Sequence, residues 1–341
     1  MTKKILIIFP ILLILLSSCI DLFYDGHLPY DSVDFHMINV DSTGYKKCFD
    51  IENAAQYKYD LENYSVSSNH EYVIMNYCIK GLIRYDIEGS EEYKISGDKW
   101  VRSCQPDISP DNEKVVFASE GDIFLVNPDG TDLINITNTP DDYDSYPSFT
   151  EDGLSIVYSS NVNYMINDSL YAICTLPFIS FEINEICTLE NADHKIIYPL
   201  WSEQYKSYFF HYIRTNSSYD SLSGVWQFQQ DLPMQIYNCH PRETKIMISS
   251  DGEKILTRSS GDGLIIDIAG NLLFDTNTIG YYITVVFLSE DGSYLMYQRN
   301  NGVYIYEFAS QESRQLTYSA YHALLVGDRV YYFIEHFLLG S

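Results

Sequence analysis

A ten-residue pattern returns along this chain at intervals of about forty residues, and few folds accommodate such a period. Its clear copies are Ile108-Ser-Pro-Asp-Asn-Glu-Lys-Val-Val-Phe117, Phe149-Thr-Glu-Asp-Gly-Leu-Ser-Ile-Val-Tyr158, Ile248-Ser-Ser-Asp-Gly-Glu-Lys-Ile-Leu-Thr257 and Leu288-Ser-Glu-Asp-Gly-Ser-Tyr-Leu-Met-Tyr297. Weaker copies open at Val66 and Trp201, the latter with neither Asp nor Gly in its turn. The copies start at 66, 108, 149, 201, 248 and 288, in steps of 42, 41, 52, 47 and 40. In each, Ser and Asp side chains are placed to bond nearby backbone N–H groups and close a turn, while Gly accepts positive φ. The apolar run after the turn reads as a buried strand.

Two more strands complete each unit. Leu82–Tyr85, Ile123–Val126, Leu264–Ile268 and Val303–Phe308 fill the third slot. The segments 134–137 and 314–317, ending in Ile-Thr and Leu-Thr, fill the fourth. Four strands per forty residues make a propeller blade. Near the C-terminus, Tyr321–Ile334 resembles strands one and two of a further blade, and Val33–Val40 with Tyr45–Ile51 resembles its strands three and four. The termini are expected to share that blade and so to hide sheet edges that invite aggregation. The expected fold is all-β, a propeller of four-stranded blades, about seven in number, with six or eight left open.

The S-P-D-G-like turn, the apolar run, the Asn127-Pro-Asp-Gly130 turn and the closing Ile-Thr or Leu-Thr resemble the repeats of TolB-type, WD-like propellers. The resemblance is good over 105–158 and 245–317 and weak over 198–240. TolB propellers are six-bladed, so seven is the count from this sequence.

The chain opens with Lys3 and Lys4, then a twelve-residue apolar run, Ile5–Leu16, broken only by Pro10. Crossing a bilayer takes about 20 apolar residues, whereas twelve suit the apolar region of a signal peptide. Leu16-Ser-Ser-Cys19 follows and resembles the lipobox of bacterial lipoproteins. The expected organisation is a signal peptide at 1–18, a lipidated tether at 19–31 beginning with Cys19, and one TolB-like propeller at 32–341. Acyl chains would anchor the protein without crossing the membrane. Asp is absent directly after Cys19, where the inner-membrane retention signal prefers it, so an outer-membrane lipoprotein is expected, periplasm-facing or surface-exposed.

The formal charge is −26, and removal of 1–18 takes it to −28. Such a chain is repelled by nucleic acid and by anionic lipid head groups, so membrane contact is expected through the anchor alone. Cys174 and Cys187 can be placed on neighbouring strands of one blade as a disulfide, with buried free thiols as the alternative.

Turns of the S-x-D-G type all fall on one face of a propeller, where their Ser and Asp are structural. The opposite loops form the usual binding surface. Five of the eight arginines fall there: Arg102, Arg214, Arg242, Arg258 and Arg299. The same loops hold Trp100, Tyr143, Tyr146, His194, His240, Tyr281, Tyr282, Tyr321 and His322. Arginine presents a planar fork suited to carboxylate or phosphate, and aromatics with arginine favour protein interfaces. A partly cationic, aromatic funnel for an anionic or peptide-like group is one reading; local pairing of each arginine with a carboxylate is the other. Neither 127–132 nor 141–144 has the twelve-residue loop and closing Glu of a calcium site, so both read as solvated turns, and no metal or other cofactor is expected. No nucleophile elbow, zinc motif, P-loop or dinucleotide fingerprint is present. The expected role is non-enzymatic binding or scaffolding of another envelope protein or peptide. The alternative is a glycan-active, lyase- or hydrolase-like enzyme using funnel histidines and arginines.

Overall fold

The computed structural model describes residues 30–52, 64–77, 81–89, 92–99, 106–164, 170–190, 193–214, 220–229, 232–239, 246–259, 262–280, 283–300, 302–318 and 320–337. The expected signal peptide, Cys19 and most of the tether lie outside them.

The described chain is almost entirely antiparallel strand, in seven four-stranded sheets. Its first strands are β1 (Tyr30–Asn39) and β2 (Lys46–Glu52). Blade one follows as β3 (Tyr64–Val66), β4 (Tyr72–Tyr77), β5 (Gly81–Asp86) and β6 (Glu92–Lys94). Blade two is β7 (Asp107–Ile108), β8 (Val115–Ser119), β9 (Asp122–Val126) and β10 (Ile134–Asn135). Blade three is β11 (Tyr143–Phe149), β12 (Ser155–Asn161), β13 (Leu170–Pro177) and β14 (Asn184–Glu190). Blade four is β15 (His194–Ser202), β16 (Ser207–Arg214), β17 (Gly224–Gln229) and β18 (Leu232–Asn238). Blade five is β19 (Met247–Ile248), β20 (Ile255–Ser259), β21 (Asp262–Ile266) and β22 (Leu272–Asp275). Blade six is β23 (Ile283–Leu288), β24 (Tyr294–Arg299), β25 (Gly302–Glu307) and β26 (Glu312–Thr317). The chain ends with β27 (Tyr321–Val326) and β28 (Arg329–Phe337).

Blade seven has the order β2-β1-β28-β27. Both termini build it, as the sequence predicts, and the β1–β28 ladder runs unbroken from Ser32↔His336 to Asn39↔Arg329. Those hydrogen bonds fasten the ring.

The core is divided among the blade interfaces. Blades one and two share Ile74, Leu82, Val115 and Phe117; blades two and three share Val116, Leu125, Ile156 and Tyr158. The series continues through Val157 with Phe210, Phe209 with Ile266, Leu256 with Leu295, and Met296 with Val330. It closes where Phe35, Tyr331 and Phe333 meet Tyr64, Val73 and Met75 of blade one. The middle strands are therefore buried on both faces, which is why β8 reads Val-Val-Phe-Ala-Ser without alternation.

The repeated turns are built as their residues dictate. Ser249 Oγ accepts from the Lys254 amide at 3.0 Å and donates to Asp251 Oδ1 at 2.6 Å, and that carboxylate accepts the Glu253 amide at 2.9 Å. Ser109/Asp111, Thr150/Asp152 and Ser289/Asp291 repeat the arrangement. The left-handed residue is Asn112, Gly153, Gly252 or Gly292, and His70 in blade one. In the weak copy Lys206 takes that conformation one place later, while Gln204 and Tyr205 bond backbone carbonyls of the blade-five turn. The missing Asp and Gly are thus compensated by reach to a neighbour.

Candidate functional site

In an antiparallel four-stranded blade, the first-to-second and third-to-fourth turns share one face, here called lower. Second-to-third and inter-blade connections share the upper face. Tyr143 and His194 open β11 and β15, Arg214, Arg258 and Arg299 lie at the upper ends of β16, β20 and β24, and His322 is the second residue of β27. The arginines sit on strands that run past the expected loop boundaries. Trp100, Arg102, His240, Arg242, Tyr281 and Tyr282 lie outside the described residues; of Arg258 and Tyr321 only the backbone is described.

The structure brings His194 and Arg214 together, opposite each other in the β15–β16 ladder. His194 is buried and stacks on Tyr212, with ring centroids 4.8 Å apart. Its Nε2 is 2.8 Å from Asp220 Oδ2. Arg214 reaches Asp193 at 3.3 Å. Burial opposes ionisation of Asp220, but His194 and the bonds from Ser223 and Leu222 outweigh it and hold the carboxyl down to about 2. Sequence reasoning missed Asp193 and Asp220; each lies near its partner's strand end in an otherwise unremarkable acidic chain.

Arg299 is also engaged locally. Its Nη1 donates to the Ile279 carbonyl at 3.1 Å and its guanidinium lies 5.1 Å from the Tyr304 ring centroid. Gly280 leaves room for it, since a Cβ there would lie 2.2 Å from Nη1. Arg214 is thus paired with a local carboxylate, whereas Arg299 is held by a backbone carbonyl and a tyrosine ring. Asp144, expected in a solvated turn, is instead buried on β11. Burial raises its carboxyl despite bonds from Ser160, Thr139 and Thr137, the Thr139 hydroxyl donating at 2.7 Å. Acidic spacing alone could not show that a strand begins at Tyr143 and takes Asp144 inside. Among the described residues, no three His, Cys, Asp or Glu side chains converge to hold a metal ion.

A different set of residues marks the centre. Within strands, the only described non-glycine residues with positive φ are Tyr146 (53°), Tyr198 (48°) and His322 (50°). All three are aromatic and lie on innermost strands. Each occupies a register break, in β11 between Ser145 and Ser148, in β15 between Ile197 and Leu200, and in β27 between Tyr321 and Leu324. A bulge re-aims a side chain, and a left-handed bulky residue costs about 1–2 kcal/mol that the surroundings must sustain. Tyr146 and Tyr198 are half-buried, with rings 4.5 Å apart across the blade three–four boundary. In a ring of seven, blade seven with His322 stands across the channel from blades three and four. The His322 carbonyl is held by the Tyr64 hydroxyl at 2.6 Å.

No protein-family model matches the sequence, and no curated protein matches it. Solved structures do. A protein described as TolB from Agrobacterium tumefaciens aligns with a TM-score of 0.51 at 14% identity, covering 91% of this chain and 99% of that one. An oligogalacturonate lyase from Vibrio parahaemolyticus aligns with a TM-score of 0.61 at 10% identity, covering 89% and 98%. An oligogalacturonate lyase in complex with manganese aligns at 0.60 and 10% identity, covering 92% and 95%. At these identities the likeness is one of fold, and by fold the chain is a seven-bladed β-propeller.

Proposed function

We propose that this protein is a lipid-anchored envelope propeller that binds another envelope protein or peptide in its central channel. The carrying observation is the trio Tyr146, Tyr198 and His322, three strained aromatics turned at bulges of innermost strands facing one channel. Strained residues of this kind gather at ligand clamps, and aromatic surfaces favour peptide side chains. Arg214 and Arg299, held by Asp193 and by the Ile279 carbonyl, shape the rim. Cys19 would carry the lipid, with the outer membrane as the expected location.

The test is an envelope crosslink and pull-down with the tagged full-length protein, read by mass spectrometry. A stoichiometric partner, lost in a Tyr146→Ala/Tyr198→Ala variant that keeps its unfolding midpoint, is expected. A partner retained by that variant would move the site elsewhere. A second reading, an oligogalacturonate-lyase-like activity on acidic glycans, draws on the fold likeness and on the His194–Arg214 juxtaposition. Release of unsaturated product from oligogalacturonate, abolished in His194→Gln, would replace binding with catalysis.

A further inference from the structure

Blade three breaks the pattern of its siblings on the lower face. The sixth residue of the ten-residue pattern is Glu71, Glu113 and Glu253 in blades one, two and five, Lys206 in blade four and Ser293 in blade six. In blade three it is Leu154, 66% exposed. The second lower turn of the same blade is also apolar. Blade two uses Asn127-Pro-Asp-Gly-Thr-Asp132 there and blade seven Asp41-Ser-Thr-Gly44, whereas blade three has Phe178-Ile-Ser-Phe-Glu-Ile183. Ile179 is 97% exposed and Phe181 50%.

The two turns are one surface. The Phe178 amide donates to the Leu154 carbonyl at 3.0 Å, and the Phe149, Phe178 and Phe181 rings follow one another at 6.1 and 5.9 Å. Backbone bonds shape the second turn: the Phe181 amide reaches the Pro177 carbonyl at 2.9 Å and the Glu182 amide reaches Ser180 Oγ at 3.2 Å. Phe181 itself is left-handed, φ 52°, a conformation costly for an aromatic residue. Phe178 packs against the blade two–three core, while Ile179, Phe181 and Ile183 stay exposed, and contiguous exposed apolar surface marks interaction sites.

The charge around it selects the occupant. Asp152, Glu182 and Glu185 flank the apolar residues in sequence, and the cation near Asp152, Lys206 of blade four, is already paired with Glu203. A second copy would bring acid against acid across a two-fold axis. A bilayer would have to receive Glu182 between Phe181 and Ile183. From this juxtaposition we infer that the lower edge of blade three docks a protein segment whose apolar side chains are flanked by lysine or arginine. This surface is separate from the central channel, so the two readings stand or fall independently.

The test uses a labelled twelve-residue peptide of alternating leucine and lysine, titrated against the full-length protein in neutral detergent. Saturable binding is expected, weakened about tenfold or more by Leu154→Glu and by Ile179→Asp, and absent for the leucine–glutamate counterpart. Leu154→Glu installs the residue of three sibling blades, so the fold should be retained, with an unchanged unfolding midpoint as the check. It also adds negative charge. Mere attraction of a cationic peptide to an acidic protein would make Leu154→Glu bind as tightly or more tightly, and that result overturns the inference. Benzoylphenylalanine replacing Ile179 reports the occupant on irradiation: a peptide adduct supports the inference, while an adduct only with a second copy or with lipid overturns it.

Discussion

Tyr146 and Tyr198 touch at 4.5 Å although they belong to the innermost strands of different blades, and both hold the left-handed backbone conformation. Each is followed by proline, Pro147 and Pro199, and the Ser148 hydroxyl ties the two strands by donating to the Pro199 carbonyl at 3.0 Å. The strain makes a clear prediction. Glycine in a strand is ordinarily less stable than alanine by about 0.5–1 kcal/mol, but a left-handed site penalises any Cβ by about 1–2 kcal/mol. Tyr146→Gly should therefore unfold at higher urea than Tyr146→Ala, by about 1 kcal/mol. The ordinary order, alanine above glycine, would show that position 146 is not held left-handed.

Acid should loosen the turns before the sheets. Side-chain bonds from Ser109, Thr150 and Ser249 lower the carboxyls of Asp111, Asp152 and Asp251, and the Ser293 amide, followed by Ser289, lowers Asp291. A carboxyl held below its unfolded value contributes stability that is present above that value and lost as pH falls through the folded one. The urea midpoint should fall as the pH drops below the ordinary carboxyl range, about 4, and Asp251→Asn should flatten that slope. Asp144 has the opposite sign, since burial raises it, so Asp144→Asn should leave the acid limb in place. Ser249→Ala removes the acceptor of the Lys254 amide and should cost about 1–2 kcal/mol at neutral pH.

The blades were legible because their information is local and repeated. Ser249, Asp251 and Gly252 specify a turn whatever surrounds them, and both halves of blade seven carried the same apolar pattern. The site was less legible because its chemistry is relational. Asp220 lies next to His194, and Asp193 next to Arg214, only after β15 and β16 pair. The bulges at Tyr146, Tyr198 and His322 leave little in sequence beyond the two Tyr-Pro pairs, because a register break depends on the partner strand. The apolar turn at Ile179 and Phe181 reads like strand until the neighbouring strands show it between β13 and β14.

The anchor is tested by substitution and labelling. Cys19→Ala should abolish incorporation of labelled palmitate and release the protein from the membrane fraction, because acyl chains supply the membrane affinity at about 0.8 kcal/mol per buried CH₂. Persistent palmitate labelling would place the lipid on another residue or remove it from the account.

Cys174 and Cys187 lie on paired strands but serve different cores. Ile173 stands opposite Cys187 and Cys174 opposite Glu185, with a register break between them. Cys174 packs against Ile156 and Leu176 in the blade two–three core, whereas Cys187 packs with Val157 and Phe210 in the blade three–four core. Both thiols are free. On opposite faces of one sheet they cannot meet the geometry of a disulfide. Burial pushes Cys174 up to about 12 and Cys187 up to about 11, so neither is a thiolate at neutral pH, the form that reacts. An iodoacetamide pulse on the folded protein should leave both peptides unmodified, and the same pulse in urea should modify both. Oxidation of the folded protein should yield no Cys174–Cys187 linked peptide; finding one would require the strands to be re-registered by one residue, which would turn a run of buried β13 side chains to the wrong core.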